Sequence, residues 1–213
     1  MNRGLTDLLG TGRETQRIYG VVTAVVTNNK DPDKLGRVKL KFPWLIDSEE
    51  SWWARVVAPM AGKDRGVYFL PEVDDEVLVA FEHGDPRYPY VVGALWSSNR
   101  TPPETNDDGK NNHRTVKSRS GHIVRFDDTD GEEKIEILDR SGKNSIVVSS
   151  KDNTLTIKAD GDITIESTNG KVKLSGKGIV IDSSADLTVQ AQTTAKVESK
   201  SQLTLKGATV AIN

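Results

Sequence analysis

TLTIKADGDITIESTNGKVKLSGKGIVIDSSADLTVQAQTTAKVESKSQLTLKGATVAIN, residues 154–213, carries the pattern that decides the fold. Its apolar residues come in strand-period pairs: Leu155 and Ile157, Ile163 and Ile165, Val172 and Leu174, Ile179 and Ile181, Leu187 and Val189, Ala195 and Val197, Leu203 and Leu205. Successive pairs begin 8, 9, 7, 8, 8 and 8 residues apart. Turn formers stand between them, as at Asp160-Gly161, Asn169-Gly170, Gly176-Lys177-Gly178 and Ser183-Ser184. Each unit therefore reads as a short strand with one greasy and one wet face, closed by a tight corner. A one-residue slip would turn the greasy face to water, so the pattern fixes register.

Such a unit has few ways to hide its stripe. A hairpin meander would leave an open sheet with an uncovered aliphatic face, and nothing in this half of the chain is available to cover it. A single-chain β-helix needs about 20 residues per coil, whereas three chains of eight supply about 24 and close a triangular prism. The leucines, isoleucines and valines of the pairs are the predicted trimer core, each contributing about 1.5–3 kcal/mol of burial before entropy costs. One layer per repeat, about 4.8 Å apart, predicts a rod of roughly 40–50 Å.

The rest of the chain has different chemistry. Eleven of the twelve aromatic residues lie between Tyr19 and Trp96, only Phe126 falls beyond, and all eight prolines occur by Pro103. Residues 97–114 (SSNRTPPETNDDGKNNHR) have linker composition. The predicted organisation is an N-terminal extension over 1–17, a barrel over 18–96, a linker over 97–114 and a spike over 115–213. Strands are predicted at Tyr19–Asn28, Arg37–Phe42, Trp53–Ala58, Glu76–Phe81 and Tyr90–Leu95, with a turn over Ala61–Gly66. Five strands in about 80 residues suit a small OB-type barrel. The fold class expected is all-β, a barrel followed by an intertwined trimeric β-helix.

Composition narrows the function classes. A net charge of −2 argues against attachment to nucleic acid by charge alone. No apolar run is long enough for a membrane helix, and the start has no signal-peptide core. With no cysteine there is no thiolate or disulfide chemistry, which fits folding in the cytoplasm. Residues 115–213 carry 14 basic and 14 acidic side chains, the skin of a solvated needle.

Catalytic and metal patterns are sparse. The histidines are His83, His113 and His122. Asp127-Asp128-Thr129-Asp130-Gly131 invites a calcium reading, but an EF-hand aligned on its glycine would need acids where Phe126 and Ile137 stand. Gly142-Lys143 and Gly170-Lys171 lack the rest of a P-loop. Asp74-Asp75 and Glu132-Glu133 read as solvated turns. No catalytic, cofactor or metal residue is assigned.

The barrel stretches resemble a known family. Leu35, Gly36, Arg37, Phe42, Pro43 and Trp44 lie in DKLGRVKLKFPW, and Trp53 opens WARVVAPMAG; Pro71 and Glu72 close GVYFLPEV. Gly84, Asp85 and Pro86 lie in EVLVAFEHGDPR, and Gly93 in YVVGALW. Together with SGHIVRFDDTDG at 120–131, they are similar to the phage baseplate assembly protein V family and the matching part of type VI secretion VgrG proteins.

The resemblance implies a homotrimeric, membrane-puncturing spike at the centre of a contractile-system baseplate, assembled in the cytoplasm and then part of a phage tail or injection particle. It implies barrels seated on a hub, which is expected to be a separate polypeptide because only 17 residues precede the barrel. It implies a PAAR-type tip protein, with Val210, Ala211, Ile212 and Asn213 as the cap contact. Neither an enzyme activity nor a cofactor is expected. Two other readings stay open: an OB-fold nucleic-acid binder using Trp44, Trp52 and Trp53, and a β-helical cell-wall or polysaccharide hydrolase.

Overall fold

The computed structural model describes residues 17–45 and 49–211, and apart from one short 3-10 turn at Glu82–Gly84 its regular elements are strands. The first seven are β1 (Val22–Asn28), β2 (Lys39–Lys41), β3 (Arg55–Val56), β4 (Ala61–Gly62), β5 (Arg65–Gly66), β6 (Glu76–Phe81) and β7 (Pro89–Ala94). Five of them form one sheet in the order β2-β1-β6-β7-β3. A bridge between Val38 and Ala54, with N–H···O bonds of 3.0 and 2.7 Å, joins the residues just before β2 and β3 and ties the two sheet edges together. The sheet curls on itself and leaves little free edge.

Alternation sets which face is inside. Along β6, Val77, Val79 and Phe81 are buried while Glu76, Leu78 and Ala80 are half-buried. They meet Ala24 and Val26 of β1, Leu40 and Phe42, and Val91 of β7 in one apolar core. The Phe42 ring lies 5.7 Å from that of Phe81 and 5.8 Å from that of Trp44. Each predicted strand of this half is present: Glu76–Phe81 with the predicted bounds, Tyr90–Leu95 shifted by one residue to Pro89–Ala94, and the other three shortened. Where a plain turn was predicted over Ala61–Gly66, β4 and β5 form a small hairpin. Asp64 there adopts a left-handed backbone, which lets the two short strands fold back.

Two loops are built from side-chain chemistry. The Asp31 carboxylate, 3% exposed, accepts bonds from the backbone N–H groups of Asp33, Leu35 and Arg37 and from the Arg37 guanidinium at 2.7 and 2.9 Å. Gly84 is buried with φ of +76°, and an added Cβ would stand 3.1–3.2 Å from Arg17 and Ile18. Only glycine fits both the backbone and the space.

A second sheet follows: β8 (His113–Lys117), β9 (Ile123–Asp127), β10 (Lys134–Leu138), β11 (Ser145–Ser149) and β12 (Thr154–Lys158). It is an antiparallel meander in which each strand pairs with the next. The strand β8 begins at His113, inside the segment read as linker. Leu155 and Ile157, read as the first octad pair, lie on the last strand of this meander. The reason is loop length. Four to six residues separate these strands, and left-handed residues at Gly121, Gly131, Gly142 and Asn153 let the chain reverse.

Beyond β12 the backbone changes character. Bends begin at residues 160, 168, 176, 184, 192, 200 and 208, one every eight residues. Among the described residues none from 161 to 211 belongs to a strand or bridge. The chain divides into two units at Asp160/Gly161.

Candidate interaction surface

The second sheet has two unlike faces. On one, register aligns Phe126, Ile135, Val148 and Leu155 in one row and Val116, Val124, Ile137, Ile146 and Ile157 in another. All nine are exposed, from 40% for Val124 to 64% for Leu155. The opposite face is polar and better covered. There Arg125 pairs with Glu104 at 2.8 Å and Glu136 at 3.6 Å, and Lys134 with Glu136 at 3.2 Å. Glu104 also accepts a 2.7 Å bond from the Thr115 hydroxyl, which fastens residues 97–112 to this face. That hydroxyl, with His113 and Arg125, holds the Glu104 carboxyl below its ordinary range.

A soluble sheet ordinarily covers its oily face and wets its charged one. Here charges pair across the covered face while nine apolar side chains stand in the open. The alternation that produces this is visible in Ile135-Glu136-Ile137 and Ile146-Val147-Val148, yet the sequence reading assigned these residues no role. Contiguous apolar area of this kind marks a surface awaiting a partner.

The octad segment presents the same chemistry. Ile163 and Ile165 are 54% and 72% exposed, and Val172, Leu174, Ile179, Ile181, Leu187, Val189, Val197, Leu203 and Leu205 are likewise exposed. One pair sits in each stretch between bends, as the sequence predicts. The backbone of these stretches has no ladder within the described chain. Both the apolar stripe and the peptide groups of this segment are therefore open among the described residues. Of the residues read as a tip contact, Val210 and Ala211 are exposed, and Ile212 and Asn213 lie outside the described residues. Residues 1–16 of the expected extension lie outside them too.

The barrel residues singled out in the sequence serve mostly the barrel itself. Arg37 clamps Asp31 and Asp33, and its guanidinium lies 5.8 Å from the Trp53 ring. Pro71 accepts a bond from the Asn29 side chain, and Glu72 pairs with Arg119 of the β8–β9 turn at 2.8 Å. Asp85 binds Arg87 at 2.6 Å beside buried Gly84 and Pro86. Gly93 lies opposite Leu78, beside an irregularity in the β6–β7 pairing. Pro43 and Leu35 are exposed, as are Trp44 and Trp52. Among the described residues no three histidine or acidic side chains gather as a metal site. None of the residues read as family motif converges on a cleft of catalytic type.

These carboxylates set an acid limit. The Arg87 guanidinium draws Asp85 from 3.8 down to about 2, and the Ser141 hydroxyl does the same for Asp139. Arg37 pushes Asp31 further below the usual range. Folded carboxylates of this kind bind protons more weakly than unfolded ones. Their stabilisation is therefore complete above the ordinary carboxylate pKa and is lost as pH falls through the folded value. The melting temperature is expected to be flat from pH 8 to 5 and to drop between about pH 4 and 2. Asp31→Asn should flatten that drop; an unchanged pH profile in this variant would separate Asp31 from acid stability.

Comparison with known proteins places the barrel residues. Residues 22–96 match the family described as the type VI secretion system/phage-baseplate injector OB domain. The chain is 36% identical over 141 residues to the type VI secretion system spike protein VgrG5 of Pseudomonas aeruginosa, covering 62% of this chain and 17% of that protein. It is 29% identical over 142 residues to the spike protein VgrG3 of Vibrio cholerae, covering 63% of this chain and 14% of that protein. To the actin cross-linking toxin VgrG1 of Vibrio cholerae it is 31% identical over 144 residues, 63% of this chain and 13% of that protein. The chain thus spans less than a fifth of the length of each of these relatives.

Proposed function

We propose that this chain is the central spike of a contractile tail or injection system, a reading supported by the match of residues 22–96 to the injector OB domain of type VI secretion systems and phage baseplates. In this reading three copies wrap their 161–211 segments about one axis and form a needle that punctures the target membrane. The barrels face a hub, and a PAAR-type protein caps the far end. The role is structural and needs no cofactor and no bond-making step.

One observation carries the reading: bends every eight residues divide a segment whose aliphatic pairs are exposed and whose backbone joins no strand or bridge among the described residues. Corners of two or three residues move the strand to a new face of a prism rather than reversing it. Three copies then supply both the ladder partners and the rest of the core. Two pairs of apolar side chains per layer and chain are not needed; one suffices when three meet at the axis. Interchain ladders leave each inner strand paired on both edges, which makes the rod stiff. Stiffness and a narrow section are what concentrate a contraction onto a point.

Sedimentation equilibrium on the full chain tests this. Three chains of 23.3 kDa predict a particle of roughly 70 kDa that persists at micromolar concentration. A folded, stable monomer of 23.3 kDa would overturn the reading.

A further inference from the structure

We propose that the cavity between the end of β7 and the start of β8 binds a saccharide, a neutral pyranose stacked on Trp96 with its hydroxyls held by the 106–112 loop. The proposal stands apart from the spike reading and needs no second copy of the chain.

The cavity holds about 740 Å³ and opens to solvent. It lies beyond the last barrel strand, between residues 96–112, the first residues of β8 and Thr129. One wall is Trp96, whose side chain stands out of the barrel core at 72% exposure. Its backbone is fixed on both sides. The Leu95 N–H donates to the Glu76 carbonyl of β6 at 2.9 Å, and Ser97 and Arg100 exchange both of their backbone bonds, at 3.0 and 3.1 Å. A large ring held at its base and left out of the core is a platform rather than a packing residue.

The opposite wall is made of amides and carboxylates. Its loop closes on itself: the Asn106 side-chain oxygen accepts from the Asn111 N–H at 2.7 Å, and the Asn106 carbonyl accepts from the Gly109 N–H at 3.0 Å. Gly109 and Asn111 take left-handed backbones, with φ of +70° and +52°. The Asp128 N–H pins the carbonyl of Asn112 at 2.9 Å. The loop is thus set before a ligand arrives, which lowers the entropy cost of binding. Among the described residues the Asn106 amide nitrogen and the Asn111 side chain make no hydrogen bond within the chain. Asp107 and Asp108 each use one carboxylate oxygen, on the Thr105 hydroxyl and the Lys110 N–H, and keep the other.

These groups select the ligand. Glu104, Asp107 and Asp108 outnumber Lys110 on the lining, which disfavours a phosphate or an acidic sugar. A wholly apolar ligand would strand the amides. No three acidic or histidine side chains gather for a metal ion among the described residues. A neutral ring with one C–H face and a rim of hydroxyls meets every requirement. The C–H face of a pyranose lies on the indole, while its vicinal hydroxyls donate to carboxylate oxygens and accept from amide N–H groups.

Titration calorimetry on the full chain tests this, with maltotriose, cellotriose and tri-N-acetylchitotriose as neutral probes and trigalacturonate as the acidic one. At least one neutral trisaccharide is expected to bind saturably in the millimolar range, and trigalacturonate at least about tenfold more weakly. Trp96→Ala should weaken the neutral probe about tenfold or more, as loss of an aromatic anchor does. Asn111→Gly keeps the left-handed backbone, removes only the amide and should weaken binding severalfold; it carries the test where Trp96→Ala melts early. Trp52→Ala, at a barrel tryptophan 61% exposed, should leave binding unchanged. Absence of saturable heat from all three neutral probes at tens of millimolar would overturn the site. So would binding that survives both Trp96→Ala and Asn111→Gly, that favours trigalacturonate, or that is lost with Trp52→Ala instead.

Discussion

Replacing Ile165 by aspartate is expected to leave the protein monomeric at concentrations where the parent chain is a trimer. In one chain Ile165 is 72% exposed, so its own fold does not depend on it. In the proposed prism three copies of this side chain meet at the axis. Three carboxylates there would lack both water and counter-charge, at a cost of about several kcal/mol per ion. No single layer of aliphatics offsets that. Val189→Asp should behave the same way several layers further on. Thr164→Asp is the control, because its side chain points to the opposite face of the same strand. Sedimentation of the three variants decides the face assignment: a trimer from Ile165→Asp, or a monomer from Thr164→Asp alone, would show it inverted.

Phe42→Ala should produce the largest loss in the barrel. The ring is 2% exposed and packs between Phe81 and Trp44. Removing it leaves a cavity that the curled sheet cannot close, at a cost of about 3–5 kcal/mol. A small domain holds only about 5–15 kcal/mol in total, so the barrel's unfolding midpoint in urea should fall steeply. Because the assembling stripe lies elsewhere in the chain, the particle should still sediment as a trimer. A barrel transition that does not move would mean that Phe42 is outside the core.

The two substitutions separate two kinds of folding. The barrel completes its backbone bonds and its core within one chain, and so does the backbone of the meander from β8 to β12. The octads complete neither. This difference traces to the connections. Loops of four to six residues with a left-handed glycine or asparagine reverse the strand and bring it back to its own neighbour. Corners of two or three residues spaced by eight do not reverse it, and in the proposed spike the next pairing partner comes from another copy.

Much of this was legible in the residues. Alternating apolar residues placed the strands of the barrel, and the octad spacing foretold the bends that begin at every eighth residue from 160 to 208. The motif residues Arg37, Phe42, Gly84 and Asp85 were marked by resemblance, and their packing gives each a physical reason. The meander was missed. Leu155-x-Ile157 has the same local pattern as Ile163-x-Ile165, and period alone does not say whether a strand will turn back or move on.

The sequence by itself determined which side chains are greasy, at what spacing, and therefore that one face of the tail half must be hidden. Only the tertiary structure decided where that face begins. It starts at Val116 rather than Leu155, because hairpin pairing lines four earlier strands up with the first octad. Spacing along a chain fixes which face a residue takes, whereas contact across strands depends on register, which loops of different length set at a distance.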